Sequence, residues 1–309
     1  MNLSIIICSY NRGNLIYSAL ESIRKQIFDK QLFELIVVDN NSTDNTAEIV
    51  KEFEFRNPDM NFVYTVEMNQ GLSFARNKGI SIAKGEIVAF IDDDAIAHED
   101  FAKNITARFS EYKTYDALGG KVIPIYEIGE EPAWMSKYIE RMVSKVDYGD
   151  KIKDFKKKYP VGCNMAFRKN VFEKVGLFNT NLNLRSDDKY IFHKIAKANL
   201  KVLYTPDIVV WHNIEKERTT DRFIIRLSRL NGRSERIRAC TDKDKFKIPS
   251  IFISYFFKIC AAYILFFPFL LKQQAIKGKY LIRIMLNSFY GFVFYNKVVE
   301  YVNHSGSKK

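Results

Sequence analysis

Three consecutive aspartates, Asp92, Asp93 and Asp94, close an apolar run at residues 87–91 (IVAFI). Carboxylate oxygens are the ligands hard divalent cations take, and Mg²⁺ combines one or two of them with substrate phosphates. Acids this close repel one another unless a cation or a donor neutralises them. The triplet therefore reads either as a metal and phosphate site or as a solvated acidic turn. A second acidic pair, Asp187 and Asp188, opens a helical pattern. There a carboxylate can serve as a general base or as a helix N-cap. His212 follows the apolar run 208–211 (IVVW). Imidazole suits manganese as well as harder ions, although a lone histidine is more often structural. The chain has no GxGxxG and no GxxxxGK[ST], so neither a Rossmann dehydrogenase nor a P-loop enzyme is expected.

These residues need a scaffold that gathers them, and the first hundred residues supply its pattern. Short β-branched runs at 3–8, 34–38, 62–66 and 87–91 read as buried strands. Between them lie helical spacings: Ile16, Ala19, Leu20, Ile23 and Ile27; then Ala47, Val50 and Phe53; then Leu72, Ala75, Ile82 and Ala83. Strands alternating with helices predict a mostly parallel α/β sheet covered on both faces. Ligands of such sheets bind beyond the carboxyl ends of the strands. Ser9, Tyr10, Asp39 and the three aspartates all fall there. Further on, a strand is expected over 161–167, a helix over 186–198, and strands at 201–204 and 208–211. Residues 127–158 are polar with a basic run and read as a loop or lid.

Four segments follow one another in order: 4–12 (SIIICSYNR), 36–46 (IVVDNNSTDNT), 69–79 (NQGLSFARNKG) and 87–94 (IVAFIDDD). With 162–178 (GCNMAFRKNVFEKVGLF) and 186–195 (SDDKYIFHKI), the set resembles glycosyltransferase family 2, the inverting enzymes of the GT-A fold. The resemblance covers residues 1–235, apart from 120–160. It implies that Tyr10, beside Ser9, stacks on the base of a nucleoside-diphosphate sugar, with Asp39 accepting the base N–H. It implies that Arg76 contacts the nucleotide or its diphosphate, that Asp92 and Asp93 hold the ribose and help at the metal, and that Asp94, with His212, ligates Mn²⁺ or Mg²⁺. It implies that Asp188 is the general base, with Asp187 as the alternative, because the family's Glu-Asp pair is Asp-Asp here. A cation at the leaving diphosphate stabilises its growing charge.

Charge is unevenly distributed. Residues 1–213 hold 29 Lys+Arg and 29 Asp+Glu, a net of zero, whereas 214–309 hold 19 and 7, a net of +12. The tail also carries 250–271 (SIFISYFFKICAAYILFFPFLL), long enough to cross a bilayer. Lys258 near its middle, Pro268 near its end and basic flanks on both sides favour an interfacial helix over a simple crossing. A buried helical cap on the catalytic core is the alternative. Nucleic acid would explain the charge but not the apolar run; an anionic membrane explains both. The four cysteines are widely spaced and suggest neither a zinc site nor a disulfide framework, and no signal peptide is read at the amino terminus.

The sequence thus predicts a GT-A catalytic domain over 1–213, with a nucleotide-binding half to about 115 and an acceptor half after it, followed by a basic helical region, 214–309. The expected activity is transfer of a sugar from a uridine-linked nucleoside-diphosphate donor to a hydroxyl of a surface polysaccharide or lipid-linked saccharide. The expected location is the cytoplasmic face of the membrane, with no nucleic acid as partner. A sugar nucleotidyltransferase and an inactive membrane scaffold are the rival readings.

Overall fold

The computed structural model describes residues 2–155, 158–182, 186–241 and 247–298. They fall into two units: the described residues among 2–125, 144–182 and 187–213 form one, and Tyr126–Val143, Ser186 and the described residues from Ile214 onward form the second.

The first unit begins as the alternation predicts. β1 (Leu3–Ser9), α1 (Gly13–Arg24), β2 (Phe33–Asp39), α2 (Thr46–Arg56), β3 (Phe62–Val66), α3 (Leu72–Ile82) and β4 (Ile87–Asp92) follow in order. Then come β5 (Ala95–Ala97), α4 (Phe101–Glu111), β6 (Ala117–Tyr126), β7 (Lys153–Asp154), β8 (Met165–Arg168), α5 (Val171–Val175), α6 (Asp187–Lys197) and β9 (Val202–Ile214). The strand order is β3-β2-β1-β4-β8-β6-β9-β5, with β7 paired to β9. β3, β2, β1 and β4 are mutually parallel. Beyond β4 the ladders are antiparallel, β4 with β8, β6 with β8 and β5 with β9. The sheet is therefore mixed, parallel only in the half that the β-branched runs encode. One apolar layer lies on each face: Ile5, Ile7, Leu35 and Val37 point into one, Ile6, Ile36, Val38 and Phe90 into the other. That two-sided burial explains why β1 and β2 are continuous apolar runs.

Three local expectations change. The strand expected at 161–167 starts only at Met165; residues 161–164 form a turn in which the Asn164 N–H donates to the Val161 carbonyl (2.9 Å). The two strands expected at 201–204 and 208–211 are one, β9, continuing through Pro206 to Ile214. Residues 127–158 do not act as one loop: 126–143 joins the second unit, with a 3₁₀ turn at Glu140–Val143, and 144–155 joins the first, contributing β7.

The second unit contains α7 (Asp221–Thr241), α8 (Ile248–Leu271) and α9 (Ala275–Val293). Its core joins Trp134, Met135 and Ile139 to Ile224, Leu227, Leu281 and Ile284. α7 and α9 cross in close contact because Gly232 lies against the Ser288 carbonyl and Gly291 against the Arg229 carbonyl, positions a Cβ would fill. α8 is 24 residues long and apolar enough to cross a membrane by length and composition, yet only 11% of its most apolar stretch is buried. At about 100° per residue its exposed Phe252, Ile253, Phe256, Phe257, Ile264, Phe267 and Leu271 fall within an arc of about 140°. Lys258 lies on the opposite side, over the Tyr255 ring (4.9 Å).

Candidate active site

The parallel register brings the amino-terminal motifs together. Ser9 pairs with Asp39 across β1 and β2, and Cys8 pairs with Asp92 across β1 and β4. All three strands thus end at one edge, where the chain must turn and polar side chains meet.

Asp39 is 2% exposed and is held on both oxygens: Oδ1 accepts from the Ser42 N–H (2.8 Å) and Oδ2 from the Tyr64 hydroxyl (2.9 Å). Each carboxylate oxygen has a further lone pair, so the group stays able to accept from a base. Burial and the bond it donates to Asp39 push the Tyr64 phenol above its ordinary range. Tyr10, next to Ser9, presents its ring at 48% exposure, as a stacking platform requires. Asn40 clasps the 67–71 loop: its amide donates to the Glu67 and Asn69 carbonyls (3.0 and 2.7 Å) and its Oδ1 accepts from the Gly71 N–H (2.7 Å). That clasp sets the start of α3, which carries Arg76.

Arg76 is 2% exposed. One Nη bonds to Asp187 and the other lies 3.4 Å from Asp92. The guanidinium is centred 5.7 Å from the Phe90 ring and 5.5 Å from the Phe178 ring. Burial works against its charge, but Asp187 and then Asp92 outweigh it and hold Arg76 charged. Burial pushes the Asp187 carboxyl up while Arg76 opposes it; with the guanidinium in hydrogen-bond contact, the two are ionised as a pair. A Cβ on Gly162 would lie 2.5 Å from the Arg76 Nη2, so the turn at 161–164 needs glycine to pass over the guanidinium. Both guanidinium ends are thus committed to carboxylates beneath the site. Asp188, the next residue, is half-buried and receives the Lys189 N–H at 2.6 Å.

The aspartate triplet divides its work. Asp93 accepts from the Ser9 hydroxyl (2.7 Å); burial and the Asp94 carboxylate push it up to about 7 against that bond. Asp94 is 5% exposed, and its Oδ1 lies 3.1 Å from Nε2 of His212, itself 1% exposed. β5 makes this meeting possible by pairing Ala95 with His212. Cys163 arrives from the 161–164 turn, and its Sγ, an Asp92 oxygen and a His212 nitrogen lie within 4.8 Å of one another. Cis donors on an octahedral ion with bonds of about 2.0–2.1 Å sit about 2.9 Å apart. The Asp94 and His212 donors fit that spacing, and their mixed oxygen and nitrogen set suits Mn²⁺.

Every catalytic, nucleotide-binding or metal candidate from the sequence therefore lies in the first unit, most at this edge. Three contributors lie inside the quoted segments, yet nothing in the sequence assigned them a part. Cys163 is remote in sequence from its neighbours, Asn40 acts through backbone carbonyls, and Asn164 anchors the turn by donating to the Lys121 and Ile208 carbonyls (2.9 and 3.0 Å).

Comparison with known proteins agrees with this geometry. The sequence profile of glycosyl transferase family 2 matches residues 4–176. A glucosyl-dolichyl phosphate glucuronosyltransferase of Haloferax volcanii is 25% identical over 248 residues, 77% of each chain. Glycosyltransferase AglE of the same organism is 29% identical over 209 residues, 68% of this chain and 66% of its own. Among solved structures, the Pyrobaculum calidifontis mannosyltransferase PcManGT in complex with GDP-Man and Mn²⁺ superposes with a TM-score of 0.61 at 19% identity, covering 94% of this chain and 87% of that one. Staphylococcus aureus TarS in complex with UDP gives a TM-score of 0.52 at 21% identity, covering 76% and 65%. These two likenesses extend to the GT-A fold. With the profile spanning more than half of its length, the chain belongs to glycosyl transferase family 2.

Proposed function

We propose that the protein is an inverting, metal-dependent glycosyltransferase that moves a sugar from a nucleoside-diphosphate donor, a uridine one, to a hydroxyl of a lipid-linked saccharide or surface polysaccharide. The observation that carries this reading is the convergence of Tyr10, Asp39 and Asp92–Asp94 at one strand edge with His212 set 3.1 Å from Asp94. Asp39 accepts the base N–H and Tyr10 stacks on the ring. Asp92 and Asp93 face the ribose. Asp94 and His212 hold a divalent ion, which when bound neutralises the charge growing on the departing diphosphate. Arg76 positions Asp187 and Asp92 rather than reaching the donor itself. Asp188, next to that locked pair, takes the proton of the acceptor hydroxyl as its oxygen bonds to the anomeric carbon. The bond from that carbon to the diphosphate oxygen breaks on the opposite face, which inverts the centre.

Acceptors on a membrane lipid suit the second unit. α8 shows solvent an apolar arc with its one lysine turned away, the form of a helix that lies in a membrane interface. The Haloferax volcanii relative, whose name places its chemistry on a dolichyl phosphate, supports the same class of acceptor. We place the enzyme on the cytoplasmic face of the membrane.

Thermal shift across nucleoside diphosphates, with and without Mn²⁺, tests the donor reading. A ligand at 100 times its dissociation constant adds about 2.7 kcal/mol. Uridine diphosphate with Mn²⁺ should give the largest shift. No shift from any nucleotide with either metal would defeat the reading.

A further inference from the structure

Cys163 has no part in the proposed transfer, and a free cysteine in a core is ordinarily a small apolar side chain. Its sulfur, however, keeps polar company. The Cys163 Sγ, a carboxylate oxygen of Asp92 and an imidazole nitrogen of His212 all lie within 4.8 Å of one another, so one point lies within about 2.8 Å of all three. Zinc bonds to thiolate, imidazole and carboxylate run about 2.0–2.3 Å, and small side-chain movements close the three donors onto one ion. Each donor comes from a separate element fixed by backbone bonds. Asp92 ends β4 opposite Cys8, and His212 lies in β9 opposite Ala95. Cys163 sits in the 161–164 turn, which the Asn164 amide pins to the Lys121 and Ile208 carbonyls (2.9 and 3.0 Å). Cys163 and His212 are each 1% exposed, whereas the Asp92 side chain keeps 33% and gives an ion its way in. Asp92 turns one oxygen toward Arg76 and keeps the other for a cation.

We propose that Asp92, Cys163 and His212 form a second cation position, one for a thiophilic divalent ion, Zn²⁺ foremost, whose occupation inhibits transfer. One sulfur, one nitrogen and one oxygen make a zinc set, and three protein donors leave the fourth tetrahedral position to water. Thiolate selects zinc over manganese and magnesium, whereas the Asp94 and His212 pair, with oxygen and nitrogen alone, suits Mn²⁺. On binding, the Cys163 sulfur bonds to the ion and its proton leaves to solvent. The thiolate and the Asp92 carboxylate then balance the two positive charges. The two cation positions share His212. A neutral imidazole has one unprotonated nitrogen, so His212 serves one ion at a time. Zn²⁺ thus withdraws His212 from Asp94 and Asp92 from the ribose. The three-donor position stands on its geometry; its effect on transfer rests on the metal-dependent reading proposed for the enzyme.

The test loads the full chain with Co²⁺ and, separately, with Zn²⁺. A thiolate bound to Co²⁺ adds a sulfur-to-metal charge-transfer band in the near ultraviolet, and X-ray absorption of the Zn²⁺-loaded protein reads a zinc–sulfur bond of about 2.3 Å directly. Both signals are expected in the wild type and neither in Cys163→Ser or Cys163→Ala. Zn²⁺ affinity should fall by at least about 10–100-fold in these variants, since losing even a residue that only supports a ligand costs that much. Mn²⁺ affinity, read by electron paramagnetic resonance, should change far less. Zn²⁺ should displace Mn²⁺ from the wild type, and the Zn²⁺ concentration that halves each variant's own Mn²⁺-supported transfer should rise with its Zn²⁺ Kd. A wild type without the band and the zinc–sulfur bond overturns the site whether or not the variants fold, and so do signals that persist in folded variants. Zn²⁺ that binds through sulfur without displacing Mn²⁺ overturns the sharing of His212 and with it the inhibition. A thermal shift with uridine diphosphate and Mn²⁺ but no sulfur signal defeats the zinc position and leaves the donor reading standing; a sulfur signal with no nucleotide shift does the reverse.

Discussion

Asp187→Asn and Asp188→Asn are the same chemical change one residue apart, and the structure assigns them opposite consequences. Asp187 is buried and bonded to Arg76, whose side chain is 3% exposed. Removing one partner of a buried ion pair costs about 3–5 kcal/mol because the other is left uncompensated. Asp92, 3.4 Å from the second Nη, retains part of the balance, so the lower end, about 3 kcal/mol, is expected. At about 2–4 °C per kcal/mol for a domain of this size, the midpoint should fall by about 6–12 °C. Asp188 is half-buried, and its replacement by Asn should change stability by no more than about 0.5 kcal/mol. Turnover should behave differently. Loss of a general base costs about two to four orders of magnitude, so Asp188→Asn should lose that much at an unchanged melting point and unchanged donor affinity. The assay pairs thermal denaturation with sugar transfer from a radiolabelled donor. If Asp187→Asn abolishes transfer without lowering the midpoint, Asp187 is the base and its bond to Arg76 is incidental. If Asp188→Asn lowers donor affinity as much as turnover, Asp188 belongs to the donor site.

Three further outcomes are expected. Asp94→Ala should abolish transfer with the fold retained, since it removes a metal ligand and relieves repulsion on Asp93, whereas His212→Ala should weaken Mn²⁺ dependence less severely; full activity in excess chelator would contradict both. Gly162→Ala places a methyl 2.5 Å from the Arg76 Nη2 and should destabilise by about 1–3 kcal/mol through overpacking, read by calorimetry, with an unchanged midpoint counting against the locked guanidinium. Phe257→Ser and Ile264→Ser, on the exposed arc of α8, should each weaken flotation on phosphatidylcholine vesicles about tenfold, since burying such a side chain is worth about 1.5 kcal/mol or more; undiminished binding would show that another surface meets the membrane.

What the sequence determined by itself was the local half of this protein. The runs that build β1, β2 and β4 are apolar on both sides because both faces of the sheet are covered, and that local pattern fixes where the strands end. It therefore fixed where Ser9, Tyr10, Asp39 and the aspartate triplet meet, since parallel register carries each strand's last residue to the same edge. The tertiary structure decided what reaches that edge from far along the chain. β5 is three residues long, too short to show a period, yet its pairing with β9 is what brings His212 to Asp94. The turn at 161–164 reads as strand because its residues suit one; glycine is needed there only because a guanidinium lies beneath it, and that guanidinium is held by Asp187, 111 residues away. Residues 126–143 look like a polar loop because apolar side chains such as Trp134, Met135 and Ile139 are buried by residues far along the chain, Ile224, Leu227, Leu281 and Ile284 among them. Periodicity records which face of an element is buried, whereas contacts between distant segments depend on the folded path of the chain, and no local pattern carries that information.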